Sequence, residues 1–226
     1  MLDERLQLAA SLYEPCDWGA DIGTDHGLLP CSLLEEGICG RMILGDISEP
    51  ALSHARLETE RRGLTDRAIL RAGNGLQVLD RPCGCISITG MGGDTVERIL
   101  KEGKDRLQGA VLVLSAHSCL PALRRGVRDI GYHFTREIVC RAAGRFYMIW
   151  RAEPGEKDMT DSELLFGTHA LEEQGCGNRR AYLLRLLELQ ERQERGLEHA
   201  RVRDEALLHK NKEGIRYLEE LLHEGD

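Results

Sequence analysis

No stretch of this 226-residue chain approaches the run of about 20 apolar residues that a membrane-spanning helix needs. Its start, Met1-Leu2-Asp3-Glu4-Arg5, lacks the basic-then-apolar build of a secretion signal. A cytoplasmic protein with no membrane partner is therefore expected. The eight cysteines, at 16, 31, 39, 83, 85, 119, 140 and 176, include no Cys-x-x-Cys pair, and only Cys83 and Cys85 stand close together. Zinc-binding thiols come in tighter pairs with partner histidines. Buried, reduced thiols are the expectation, with no metal. A Gly-x-Gly-x-x-Gly loop is also absent, which weakens the case for a dinucleotide.

Lysine is scarce: 25 of the 30 basic residues are arginine, whose planar group suits phosphates and bases. Arg56, Arg61, Arg62, Arg67 and Arg71 cluster, as do Arg124, Arg125 and Arg128. These read equally as solvated helix faces or as contacts for RNA. The net charge of −8 argues against indiscriminate nucleic-acid binding and is uneven, with residues 1–151 at −1 and residues 152–226 at −7.

Apolar spacing predicts a helix over residues 2–14, ended by Pro15, then a strand over 18–22 and a helix opening near His26. Strands follow at 41–46, 68–72, 85–89 and 110–114, separated by helices over 48–62, 94–102 and 121–130. Such alternation implies a parallel sheet covered on both faces. Residues 132–140 and 145–151 are joined too tightly for a helix crossover and predict an antiparallel hairpin. Five parallel strands closed by a hairpin make an α/β, Rossmann-like, seven-stranded class I methyltransferase sheet. This domain is expected over 1–154. A helical, coiled-coil-like domain is expected over 155–226, with a short helix from about Ser162 to Gln174. A long hairpin follows, turning at Gly196 or within Asn211–Gly214, whose leucines bury one another.

The chemistry is expected at the strand ends. Asp21-Ile22-Gly23-Thr24-Asp25-His26-Gly27 joins strand to helix, its glycines admitting a ligand close to the backbone. Asp21 and Asp25 would repel a pyrophosphate and suit the cationic head of S-adenosylmethionine. Asp25 also reads as a cap for the following helix. Asp46, ending the second strand, suits ribose hydroxyls, with Ile47 beside it. Gly73, Asn74 and Gly75 end the third strand, and Asn74 is placed for an adenine amino group or for a turn. Gly90, Met91 and Gly92 end the fourth, where glycines admit a flat acceptor and Met91 offers an apolar shelf or joins the core. His117, past the fifth strand, is a candidate contact or base for the acceptor, or a structural histidine.

Taken together, the Asp21–Pro30 segment, Gly73-Asn74-Gly75-Leu76, Thr89-Gly90-Met91-Gly92-Gly93 with Ile99-Leu100, Arg145-Phe146-Tyr147 and Leu165-Phe166-Gly167 resemble the bacterial tRNA (adenine-22-N1)-methyltransferases over nearly the whole chain. The resemblance implies S-adenosylmethionine as cofactor, tRNA as partner, and methyl transfer to N1 of adenine 22. It makes Asp25 and His26 candidates for the acceptor side, beside Met91 and His117. Gly23, Thr24 and the residues at the other strand ends are implied to hold the cofactor. Asn74 stands where the family usually has aspartate, and Ser115-Ala116-His117-Ser118 where it tends to have a Gln-Pro segment. A methyltransferase for another acceptor, or a non-catalytic cofactor-binding protein, are the competing readings.

Overall fold

Asp3 caps the first helix, its carboxylate accepting the N–H of Leu6 at 2.8 Å, and Pro15 precedes the first strand. This is a computed structural model, and it describes residues 2–142, 144–169, 171–173, 178–200, 202 and 204–224. The parallel strands are β1 (Cys16–Ile22), β2 (Cys39–Asp46), β3 (Ala68–Ala72), β4 (Cys85–Met91) and β5 (Val111–Ala116). The helices through this half are α1 (Glu4–Ser11), α2 (Leu28–Glu35), α3 (Glu49–Arg61), α4 (Gly93–Glu102), α5 (Lys104–Leu107) and α6 (Leu120–Asp129). The hairpin is β6 (Tyr132–Ala142) and β7 (Arg145–Pro154).

The sheet order is β3-β2-β1-β4-β5-β7-β6-β8, with β7 inserted antiparallel between β5 and β6. Pleating sends Ile43, Ile86, Ile88, Leu112 and Leu114 into one buried cluster and Met42, Leu44, Val113 and Ile149 into another on the opposite face. Strand order reverses beside β1, between β2 and β4, so a crevice opens at their C-terminal ends.

The expected seven strands are joined by an eighth, β8 (Leu171–Glu173), lying parallel to Glu137–Val139 of β6. Its three residues are too few to show an alternating pattern. The helix expected from Ser162 to Gln174 is thereby corrected. It is α7 (Asp161–Phe166), opened by a Thr160–Glu163 capping box and stopped at Gly167, whose φ of +117° no ordinary helical residue adopts. Gln174 and the segment through Cys176 and Gly177 lie outside the described residues.

The tail is α8 (Asn178–Glu198) and α9 (Glu205–His223). Its turn lies between them, not at Gly196 or Asn211–Gly214. Asn211 is instead buried within α9, donating to Gln190 Oε1 at 2.7 Å, and Gly214 admits the ring of Phe166. The leucine stripes are only partly covered, since Leu184, Leu189 and Leu207 are exposed. Tyr182, Leu183, Leu218 and Leu221 instead join the core beneath the sheet, together with Phe166 and Leu171. Packing thus crosses the expected boundary at 154.

Candidate active site

Two adjoining hollows lie at the C-terminal ends of the central strands. One, of about 350 Å³, is lined by Gly23, Asp25, Asp46, Ile47, Gly73, Asn74, Gly75, Gly90 and Met91, with Thr89, Thr95, Arg98 and Ile99. The other, of about 210 Å³, is lined by Asp21, Gly23, Thr24, Asp25, His26 and Gly90, with Asp3, Arg5 and Leu6 of α1 and the first turn of α2. Gly23, Asp25, Thr89 and Gly90 wall both, so the hollows meet there.

Backbone bonds fix this geometry. The N–H groups of Gly23 and Thr24 donate to the Gly45 carbonyl at 2.8 and 3.1 Å, tying the first loop to β2. Asp46 accepts from the N–H of Ser48 at 2.8 Å and from that of Asp25 at 3.3 Å, while its carbonyl accepts from Gly73 at 3.0 Å. One residue, through its carboxylate and its carbonyl, therefore ties together three strand ends. Gly23 holds φ at +74°, and a Cβ there would run into the Met91 methyl. In β4 the register shifts between Ile88 and Met91, a bulge at Thr89–Gly90 that turns the strand end toward the hollows.

Asp25 is exposed yet held at φ +47°, a strained conformation for a residue with a side chain. It does not cap α2. That position belongs to Gly27, which offers no side chain, so the positive end of α2 is left facing the smaller hollow. Asp25 Oδ2 lies 3.7 Å from His26 Nε2 instead. The His26 ring stacks on His54 of α3, centroids 4.8 Å apart and planes 10° from parallel.

Asp21 is buried and accepts a hydrogen bond from Ser87 Oγ, which in turn receives one from the Tyr13 hydroxyl at 2.6 Å. Burial pushes the Asp21 carboxyl up to about 6, the Ser87 bond offsetting part of that rise. Burial likewise holds the Tyr13 phenol protonated, well above its ordinary range. The Thr24 side chain, buried on the smaller hollow, also favours the charged form of the Asp21 carboxyl.

Asn74 makes no cap bond to the 3₁₀ turn Gly75–Val78 that it precedes, and it lines the larger hollow. Ile47, three-quarters exposed, gives that hollow an apolar rim. Two sequence candidates stand apart. Gly92 opens α4 and permits close approach of Ser118, while His117 is exposed on the loop after β5, and neither lines a hollow.

The arginine clusters are largely occupied within the protein. Arg61 and Arg62 bond Glu58, Arg62 also reaches Glu35, and Arg71 pairs with Asp80 at 2.6 Å. Arg67 donates to two backbone carbonyls, and Arg124 is buried against Glu137. At the site itself stand two other arginines, missed by pattern reading. Arg5 projects from α1 toward Gly90, Nη1 lying 3.8 Å from where a Cβ would stand, and the half-exposed Arg98 projects from α4. Clustering in sequence was no guide to either.

Residues 2–150 match the family model described as a methyltransferase domain. The chain is 31% identical over 159 residues to the tRNA (adenine(22)-N(1))-methyltransferase of Bacillus subtilis, covering 70% of this chain and 67% of that one. Its fold is similar to a Streptococcus pneumoniae protein described as a candidate tRNA (m1A22) methyltransferase, with TM-score 0.83, 27% identity, and 99% and 100% of the two chains covered. The structure of that protein in complex with S-adenosyl-L-methionine is similar at TM-score 0.79, 28% identical, with 99% and 100% covered.

Proposed function

The chain belongs to the tRNA (adenine(22)-N(1))-methyltransferase family, and from that premise we propose which of its residues hold the cofactor and which the acceptor. The protein transfers a methyl group from S-adenosylmethionine to N1 of adenine 22 in tRNA.

The site's own features fit that cofactor. The larger hollow takes the adenosine half. Asp46 accepts from the ribose hydroxyls, Ile47 covers a face of the adenine, and the Asn74 amide meets its edge between Gly73 and Gly75. The smaller hollow takes the amino-acid half. Asp21 faces the ammonium, the buried Thr24 hydroxyl supplies a hydrogen bond, and Arg5 with the open N-terminus of α2 receives the carboxylate. The cofactor then spans the point where the hollows meet, over Gly23 and Gly90, which are bare enough to admit it.

Bound S-adenosylmethionine supplies a methyl group that adenine N1 takes by in-line displacement, the C–N bond forming as the C–S bond breaks and the positive charge passing from sulfur to the ring. N1 already carries its lone pair, so positioning and exclusion of water supply most of the effect. Asp25, His26 and Met91 stand at the mouth, where the flipped base is held. Gly92 and His117 remain candidates on the acceptor's outer side. The division of labour follows the chain, with residues 1–154 carrying the cofactor and 155–226 bearing on the tRNA by shape more than charge. Arg98, exposed at the rim, is placed for a backbone phosphate. A tRNA substrate implies a cytoplasmic enzyme, and no described helix is long and apolar enough to cross a membrane.

The observation that carries this reading is Asp46, whose carboxylate ties the loop after β1 to the end of β2, and whose backbone carbonyl holds Gly73 after β3, beside a hollow of cofactor size. Incubating unmodified tRNA with the enzyme and methyl-labelled S-adenosylmethionine, then analysing nucleosides, tests it. Labelled 1-methyladenosine is expected with adenine at position 22 and none with guanine there. Normal cofactor binding without 1-methyladenosine would sink the assignment and favour another acceptor.

A further inference from the structure

His54 has no part in the scheme above, yet it stands in contact with residues that do. It lies on the second turn of α3, exposed, with its ring stacked on His26. Among the described residues, Asp25, His26 and His54 are a group whose possible ligand atoms all lie within 4.8 Å of one another. The three come from two elements, the β1–α2 loop and α3, brought together by the tie of the Asp25 N–H to Asp46 and by the packing of Gly27 against Ala55 of α3.

We propose that Asp25, His26 and His54 bind a divalent transition-metal ion of the zinc class at the mouth of the methyl-transfer site, and that its occupancy slows methyl transfer. Two imidazoles and one carboxylate are a donor set that such ions favour, and they leave at least one position to water. Tetrahedral zinc with bonds of about 2.0–2.1 Å brings its ligand atoms to roughly 3.3 Å from each other. From separations within 4.8 Å, shifts of the order of an ångström and rotation of the rings out of their stack are enough. All three side chains are exposed, so neither movement disturbs the core. The left-handed backbone at Asp25 keeps its carboxylate beside His26 rather than folded back as a helix cap.

The inhibitory half rests on the functional reading given above. Asp25 lines both hollows and His26 the smaller one. A metal ion would fix both side chains toward α3 and place positive charge at the mouth where the base must enter, beside the hollow that Asp25 shares with the cofactor's place. His54 is the residue that separates the metal site from the transfer site.

The test is calorimetric titration of zinc chloride into the full-length protein, previously stripped with EDTA, compared with His54→Ala and His54→Gln. The wild type is expected to bind one ion that both variants bind at least tenfold more weakly, and cobalt(II) in its place should give the visible bands of a low-coordinate nitrogen–oxygen site. In EDTA both variants should methylate tRNA at the wild-type rate. Added zinc should slow the wild type and leave the variants unaffected. Equal zinc binding by wild type and both variants would place the metal elsewhere and overturn the site. Zinc binding that depends on His54 but leaves methyl transfer unchanged would overturn the inhibition. The titration requires no methyl transfer, so failure of the tRNA reading leaves its outcome distinct.

Discussion

The Asp25 N–H donates to the Asp46 carboxylate at 3.3 Å, joining the loop after β1 to the end of β2 across 21 residues of chain. Because Asp46 also accepts from Ser48 at 2.8 Å, its two oxygens are oriented before any ligand arrives.

Removing that carboxylate should therefore cost binding twice, through the lost ribose contact and through a loosened loop. Asp46→Ala is expected to weaken S-adenosylmethionine binding by 10- to 100-fold, as for about 1.5–3 kcal/mol lost with a charged hydrogen-bond partner. Thermal unfolding should change little, since Asp46 lies at the rim. Calorimetry with the cofactor measures the first and circular dichroism the second. Unaltered affinity would remove the ribose assignment.

Asp21 predicts a pH signature. Its folded value of about 6 lies above the ordinary 3.8, so the folded state binds this proton more tightly than the unfolded chain does. The stability this contributes is fully present below pH 4 and is lost as pH rises through about 6, amounting to about 3 kcal/mol. Asp21→Asn mimics the protonated form. Urea unfolding should show the variant level with the wild type at pH 4 and more stable by about 1–3 kcal/mol at pH 8. A difference that stays flat with pH would mean that Asp21 titrates as an exposed carboxyl. Cofactor affinity should fall in the variant, because the charge proposed to meet the ammonium is gone.

A buried ion pair fastens the C-terminal segment to the sheet. Glu137 Oε2 accepts from Arg124 at 3.3 Å and from the Trp150 indole at 2.9 Å, while its Oε1 accepts the N–H of Thr168 at 2.9 Å. Arg124 also donates to the carbonyls of Leu164 and Leu165, both at 3.3 Å. Glu137→Ala strands a buried guanidinium together with the Trp150 indole and the N–H and hydroxyl of Thr168, and should cost about 3–5 kcal/mol in urea unfolding. Arg124→Met combined with Glu137→Gln should cost less than Glu137→Ala alone, since no unpaired charge remains.

A chain ending at Pro154 should not fold as an independent domain. It loses β8 and the buried Phe166, Leu171, Tyr182, Leu183, Leu218 and Leu221. At about 1.5–3 kcal/mol for each large side chain, the loss matches the whole stability of an ordinary domain. Insoluble expression, or unfolding without a cooperative transition, is the expected result. A soluble fragment that binds S-adenosylmethionine with normal affinity would show the tail to be dispensable for folding.

The strand–helix alternation, the hairpin and the gathering of Gly23, Asp46, Asn74 and Gly90 at the strand ends, where they line one hollow, were legible in the sequence because each depends on its neighbours. Apolar runs set strands, glycines mark the turns that need left-handed backbone, and a parallel sheet must place its loops at one end. Only the tertiary structure brought Arg5 over Gly90, stacked His54 on His26, drew β8 onto β6 and sank Arg124 against Glu137. Those contacts join residues far apart in the chain, and periodicity carries no record of them. The arginine clusters show the same limit, since their members were drawn to acids within the fold, Arg61 and Arg62 to Glu58, Arg71 to Asp80 and Arg124 to Glu137. Local backbone preference decided the elements and the cofactor's loops, whereas long-range packing decided which charges remained at the site.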